Sequence, residues 1–197
     1  MSIGGIVLCG GRSTRMGQPK AWLPVGGEVM LQRIVRIVSE VVSPVVVVAA
    51  EGQDSPELPA DVEIVREPGD RGPLQGLVTG MQALVGRVDA AYVTACDVPF
   101  LSADFIRRII HGFATTAGTL ASMPKIAGRL HPLAAAYSLD ALPLLANELA
   151  ARRLRLTDLA HILPTVLLTE SDLLDLRPLR NVNTPEEYEQ ARRELLN

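Results

Sequence analysis

The 197-residue sequence predicts an α/β fold, a three-layer sandwich in which helices cover both faces of a mostly parallel sheet. Three observations predict it. Short continuous apolar runs recur at Ile3 to Cys9, Val45 to Ala50 and Ala90 to Cys96, as strands buried on both faces require. Segments of helical periodicity separate them. Glycine, proline and small polar residues punctuate the joins. The balance of 19 Lys and Arg against 22 Asp and Glu leaves a net charge of −3, so no basic excess exists for a nucleic-acid or anionic-membrane surface. Aromatic residues are only 4%, which argues against base-stacking platforms. The longest apolar stretch, Val41 to Ala50, falls short of the roughly 20 residues of a membrane helix. With Cys9 and Cys96 as the only cysteines, a disulfide framework is excluded, and a reducing cytoplasm is the expected setting.

Each element follows in order. Ile3 to Cys9 reads as a buried strand, and residues 10 to 20 (GGRSTRMGQPK) as a loop. Val29 to Val42 places Met30, Leu31, Ile34, Val35, Ile37, Val38 and Val41 at helical spacing, ended by Pro44. Val45 to Ala50 and Val62 to Val65 read as strands. Gly72-Pro73 opens a helix that stops near Gly86, because proline is favoured at a first helical position. Ala90 to Cys96 is the next strand. Ser102 is an N-cap, with Asp104 in the first turn, for a helix ending near Gly112. Thr119 to Met123 and Leu130 to Tyr137 read as strands around a polar turn. Leu139 to Arg152 and Leu156 to Ile162 read as helices, and Val166 to Thr169 as a strand. Thr184, Pro185 and Glu187 form the start of a capped C-terminal helix. The expectation is a single domain over 1–197.

Ligands of such sheets sit at the carboxyl ends of the strands. Paired glycines after the first strand, Gly10 and Gly11, let backbone N–H groups approach a ligand, and Arg12, Arg15 and Lys20 add positive charge. The combination is a polyphosphate-binding loop. The spacing does not match GxxxxGK[ST], since Ala21 follows Lys20, nor GxGxxG. Asp97 closes another strand just before Pro99. A carboxylate there suits Mg²⁺, which one or two carboxylates and substrate phosphates usually hold; an Asx-turn is the structural alternative.

The run LCGGRSTRMGQPKAWLPVGG resembles the signature of the MobA-like nucleotidyltransferases, with Cys9 where that family usually has alanine. Gly72 to Leu77, Cys96 to Leu101, Arg129 to Leu133 and Asn181 to Glu187 resemble further segments of the family in the right order. The resemblance spans nearly the whole chain. It is closest to the guanylyltransferase branch, which transfers GMP from GTP to molybdopterin, the organic part of the molybdenum cofactor, with release of pyrophosphate. It therefore implies a Rossmann-like fold, Mg²⁺, GTP and molybdopterin. It also implies contact with the protein that inserts molybdenum and with a recipient molybdoenzyme.

On this reading Lys20, Arg15 and Asp97 carry the transfer, with Asp97 the metal ligand. Leu8, Cys9, Gly10, Gly11, Lys20, Asp70, Gly72, Gly76 and Asp97 bind the nucleotide. Arg129, His131, Asn181 and Asn183 bind the acceptor. The nucleotide part is expected within about 1–100 and the acceptor part in the remainder. Asp70 is the candidate at the nucleobase, against an ordinary exposed loop aspartate. His131 is expected to shape the acceptor pocket rather than transfer a proton, because a phosphate monoester acceptor is already largely ionised. Asn181 and Asn183 suit a pterin edge, or cap the following helix. His111 and His161 lack partners at metal spacing. Cys9 and Cys96 end neighbouring strands and are expected to be buried as small hydrophobes. The competing readings are a molybdopterin cytidylyltransferase, another small-molecule nucleotidyltransferase, and an inactive nucleotide-binding partner subunit. Retention of both Lys20 and Asp97 argues against the last.

Overall fold

The computed structural model describes residues 1–10, 16–68 and 72–196. Strand β1 (Ile3–Leu8) leads to a two-residue hairpin, β2 (Pro24–Val25) and β3 (Glu28–Val29), and then to helix α1 (Met30–Ser39). There follow β4 (Val45–Ala50), β5 (Glu63–Glu67), α2 (Gly72–Leu84), β6 (Ala90–Ala95) and α3 (Ala103–Ala114). The second half contains β7 (Ala121–Ile126), β8 (Arg129–Leu130), β9 (Ala134–Ser138), α4 (Leu142–Ala150), α5 (Leu159–Ile162), β10 (Thr165–Leu168), α6 (Glu170–Leu173) and α7 (Pro185–Leu196).

The main sheet has the order β10-β7-β9-β6-β1-β4-β5, with β8 paired to β7. β1 is parallel to both β4 and β6, and β5 continues the parallel half. β9 runs antiparallel to both of its neighbours. The chain leaves β1 toward β4 on one side and returns to β6 on the other. The carboxyl ends of β1 and β6 therefore flank a topological switch point, where α/β sheets hold their ligands.

Alternate residues of each central strand feed opposite layers. Val7, Val45, Val47 and Tyr92 face α1 and α3, where Leu31, Ile34, Val38, Phe105 and Ile109 are buried. Ile6, Leu8, Val46, Val48 and Val93 face α2 and α4, where Leu74, Leu77, Met81 and Leu145 are buried. α2 lies close on β1 because its facing positions are glycine. A Cβ at Gly80 would stand 2.6 Å from Ile6 Cγ2, and one at Gly76 would stand 3.2 Å from Leu8 Cδ2. A third cluster of Met16, Leu23, Val25, Met30, Phe100, Val182, Tyr188 and Ala191 docks α7 onto the β2–β3 hairpin and the segment after β6. No helix among the described residues is long and apolar enough to cross a membrane.

Several boundaries differ from the sequence reading. The strand expected over Leu130 to Tyr137 is two pieces, β8 and β9, because residues 131–133 turn out of the sheet at Pro132. The helix expected from Leu139 begins as a 3-10 turn over Leu139–Ala141 and becomes α-helical at Leu142, next to Pro143. Likewise Leu156–Asp158 is a 3-10 turn ahead of α5. α1 stops at Ser39, three residues short of Val42. The hairpin β2–β3 and the single-turn α6 carry no period long enough to read.

Candidate functional site

Lys20 opens a 3-10 turn, Lys20–Trp22, that packs beneath α1 through buried Ala21. Leu23 and Met16, on either side of it, enter the third cluster. Asp97 follows β6, and Phe100 three residues later enters the same cluster with Val182 and Tyr188. Apolar packing thus gathers three distant segments, and their polar residues meet above it. Lys20 Nζ donates to Asp97 Oδ2 at 2.7 Å and to Asn183 Oδ1 at 2.8 Å. Asn181 Nδ2 donates to Asp97 Oδ1 at 2.7 Å, and the Val182 amide donates to the Asp97 carbonyl at 2.9 Å. The side chains of Lys20 and Asp97 retain 16% and 14% exposure, so the pair is largely withdrawn from water but still reachable. Arg33 of α1 donates to the Pro99 carbonyl at 3.1 Å and fixes the turn after Asp97.

Beside Asp97 lies a cavity of about 280 Å³ lined by Leu8, Gly10, Val48, Glu67, Gly72, Pro73, Gly76, Ala95, Leu133 and Asn181. It occupies the switch point between β1 and β6. Gly72 holds a left-handed conformation, φ +67°, as it starts α2. Gly10 is close to Glu67: a Cβ there would stand 3.3 Å from Glu67 Oε1. Cys9, expected from the sequence to bind nucleotide, is not among the residues that line this cavity; its amide donates to the Val48 carbonyl at 2.8 Å. Its carbonyl accepts from Gln53 Nε2 at 2.9 Å, while its sulfur is buried on the α1–α3 side with Cys96. The Cys96 thiol hydrogen-bonds that sulfur, which holds Cys9 below the usual thiol range and pushes Cys96 well above it.

A second cavity of about 410 Å³ shares Pro73, Leu133 and Asn181 with the first, so the two adjoin. Arg129, His131 and Arg155 line it together with Leu130, Leu154, Leu156 and Leu179. Half-burial, with the nearby Arg129 charge, lowers the His131 pKa below its ordinary value. The shift favours the neutral ring over the imidazolium. The Tyr137 hydroxyl donates to the Pro132 carbonyl at 2.8 Å and holds the loop that carries His131.

The structure thus brings together Leu8, Gly10, Lys20, Gly72, Gly76, Asp97, Asn181 and Asn183, with Arg129 and His131 on the adjoining cavity. Asn181 and Asn183, read from sequence as acceptor ligands, hold Asp97 and Lys20. Gly11, Arg15 and Asp70 lie outside the described residues. Sequence reasoning missed Glu67 and Arg155. Glu67 ends β5, and the rule that ligands lie at strand ends would have found it. Arg155 sits in an irregular segment without a motif.

A family model, the MobA-like NTP transferase domain, matches residues 5–161. A probable molybdenum cofactor guanylyltransferase of Pelotomaculum thermopropionicum is 31% identical over 194 residues, covering 95% of this chain and 91% of that protein. Its counterpart in Mycobacterium avium is 35% identical over 189 residues, covering 93% and 92%. The solved structure of molybdopterin-guanine dinucleotide biosynthesis protein A from Archaeoglobus fulgidus superimposes with a TM-score of 0.77 at 19% identity, covering 97% of each chain. With a lysine–aspartate pair at the switch point, a matching family model and relatives alike over almost their whole length, the chain belongs to the MobA-like NTP transferase family.

Proposed function

We propose that the protein transfers GMP from GTP to molybdopterin and releases pyrophosphate. The observation that carries this reading is the pair of adjoining cavities, one beside Asp97 and one beside Arg129 and His131. Donor and acceptor then meet over Pro73, Leu133 and Asn181, which line both. The likeness to curated guanylyltransferases supports the same substrates.

The guanine base enters the cavity between β1 and α2. Its Watson–Crick edge carries two adjacent donors, N1–H and the 2-amino group, and the Glu67 carboxylate at the far wall is an acceptor-only group. Cytosine offers that edge one amino donor. The α-phosphate lies toward Gly10 and Lys20. The terminal phosphate of molybdopterin, held beside Arg129, Arg155 and His131, attacks the α-phosphorus in line, and the bond to the bridging oxygen of pyrophosphate breaks. Lys20 offsets charge on the α-phosphate and leaving group. As in phosphoryl transfer generally, positioning and charge neutralisation carry the rate, and no covalent enzyme intermediate is needed.

A divalent ion is the cofactor this family chemistry uses, and Mg²⁺ is our assignment. The donor set fits it. Asp97 and Glu67 are the carboxylates among the described residues that line the cavity, and no group of three or more His, Cys, Asp or Glu among the described residues surrounds a common point. One carboxylate plus phosphate oxygens and water is the way Mg²⁺ is commonly held, and the ion neutralises phosphate charge when bound. Asn181 on Oδ1 and Lys20 on Oδ2 would hold the carboxylate in place.

The test is pyrophosphate release from each of GTP, CTP, ATP and UTP with molybdopterin and Mg²⁺. Release restricted to GTP is expected. Faster release from CTP would replace this reading with a cytidylyltransferase, and no release from any of the four would replace it with a binding subunit.

A further inference from the structure

We propose that Glu187, on α7, is a positioning residue for Lys20 and acts through Asn183. The proposal rests on the reading of Lys20 as the lysine that meets the nucleotide phosphates.

Lys20 has a flexible four-carbon stem, and an ammonium with three donors does not by itself select a direction. Two contacts aim it, Asp97 Oδ2 and Asn183 Oδ1. Were Asp97 to hold a metal ion, the contact left to Lys20 would be Asn183. That amide must therefore be fixed from elsewhere. Its backbone N–H donates to Glu187 Oε2 at 2.7 Å, and the Thr184 N–H donates to the same oxygen at 3.3 Å. The Asn183 peptide is thereby clamped to the first turn of α7. Tyr188, the next residue, is buried in the third cluster and hydrogen-bonds the Pro24 carbonyl, which ties that turn to the chain just beyond Lys20. A closed path runs from Lys20 through Asn183, Glu187 and Tyr188 to Pro24. Glu187 is the one link in it that is exposed, charged and outside both cavities.

Glu187 also has an ordinary structural task. With Thr184, whose Oγ1 accepts from the Glu187 amide at 3.3 Å, it forms the capping box of α7. The two tasks separate cleanly. Thr184→Ala removes half of the box and leaves the Asn183 clamp. Glu187→Ala removes the other half and the clamp together.

The experiment measures kcat and KM for GTP, together with the thermal midpoint, in the full chain and in Thr184→Ala, Glu187→Ala, Glu187→Gln, Lys20→Ala and the Lys20→Ala/Glu187→Ala double variant. Both alanine variants at the box should lose similar thermal stability. We expect Glu187→Ala to lose about tenfold or more in kcat, a 1.4 kcal/mol effect, with Thr184→Ala within about twofold of the parent. Glu187→Gln keeps an acceptor oxygen and should restore most of kcat. Acting through Lys20, Glu187→Ala should cost nothing further once Lys20 is alanine. Equal kcat losses in Thr184→Ala and Glu187→Ala, or a full extra loss in the double variant, overturn the proposal and leave Glu187 a helix cap. Full turnover in Lys20→Ala overturns the reading of Lys20 itself, and the positioning role with it. Should Glu187→Ala fail to fold, Glu187→Leu, which fills similar space without an acceptor oxygen, takes its place in the parent and in Lys20→Ala and is judged by the same non-additivity.

Discussion

Lys20 Nζ stands 2.7 Å from Asp97 Oδ2 although 77 positions separate the two residues in the chain. Neither residue owes its place to a local motif. Lys20 is set by Leu23 and Met16 in an apolar cluster, and Asp97 by the end of β6 and the same cluster through Phe100. The cation and the anion of this pair are thus positioned by hydrophobic packing around one shared apolar cluster.

Lys20→Ala should lower turnover by two orders of magnitude or more, consistent with removing a charge that acts in the transition state. Read as a surface-loop residue, Lys20 should be dispensable for stability. The structure changes that expectation. Its removal leaves Asp97 without its cation in a largely desolvated place, so unfolding should become easier by about 1–3 kcal/mol. Steady-state kinetics and urea denaturation check the two parts separately, and a turnover loss below tenfold would contradict the catalytic role.

Asp97→Asn keeps size and the backbone bond to Val182 but removes the charge. Activity should collapse, and the Mg²⁺ concentration for half-maximal rate should rise by at least about tenfold, since one carboxylate anchors the ion. Superimposable titrations of Mg²⁺ for parent and variant would remove Asp97 from the metal site.

Glu67→Gln should weaken GTP binding by about tenfold and leave CTP binding near its starting level. The loss reflects a charged acceptor replaced by a neutral one beside two donors, worth about 1–3 kcal/mol. Calorimetric titration with each nucleotide gives the answer. An equal loss for both bases would place Glu67 on the ribose or phosphates instead.

His131 carries a pH prediction. Its folded pKa lies below the ordinary 6.5 because burial, aided by Arg129, disfavours the imidazolium. Well above pH 6.5 the ring is neutral folded and unfolded, and contributes no slope. As pH falls below 6.5 the unfolded chain binds the proton first, so stability should decline toward the lower folded value. His131→Gln should flatten that part of the stability curve measured between pH 7.5 and pH 5, relative to the parent.

Gly80→Ala tests the close approach of α2 to β1. Alanine ordinarily favours a helix interior by about 1 kcal/mol over glycine. Here the added methyl meets Ile6 Cγ2 at 2.6 Å, and a β-branched side chain inside a strand has little room to yield. Overpacking should prevail and destabilise by about 1–3 kcal/mol. A raised thermal midpoint would show that the layer is looser than the contact implies.

Much of this architecture was legible in the sequence. The buried strands declared themselves as unbroken apolar runs, because a parallel sheet covered on both faces leaves no polar side to alternate with. Leu8, Gly10, Gly72, Gly76 and Asp97, singled out in the sequence, line one cavity by the carboxyl ends of the strands, where a sheet of this kind leaves room for a ligand. Asn181 and Asn183 show the limit. Their residue types advertise hydrogen bonding but not its target, and tertiary packing pointed them at Asp97 and Lys20. Arg155 was invisible for a related reason: an arginine in an irregular, polar stretch gains meaning only when Leu133 and Leu156 build a wall around it.

The reversed strand β9 sets how this sheet can diversify. In the parallel strands β1, β4 and β6 the chain exits at the rim of the cavity, whereas β9 enters there, with Ala134 opposite Thr94 at the end of β6. The segment from β8 through Leu133 is therefore a gateway into the sheet, while the donor loops are exits from it. Lengthening or recolouring that gateway changes the acceptor wall without altering the register of β1, β4 or β6, because β9 is pinned downstream by Tyr137. The part of the second cavity's lining that the first does not share, Arg129 to Pro132, thus sits on a stretch of rim that can vary without rebuilding the parallel strands.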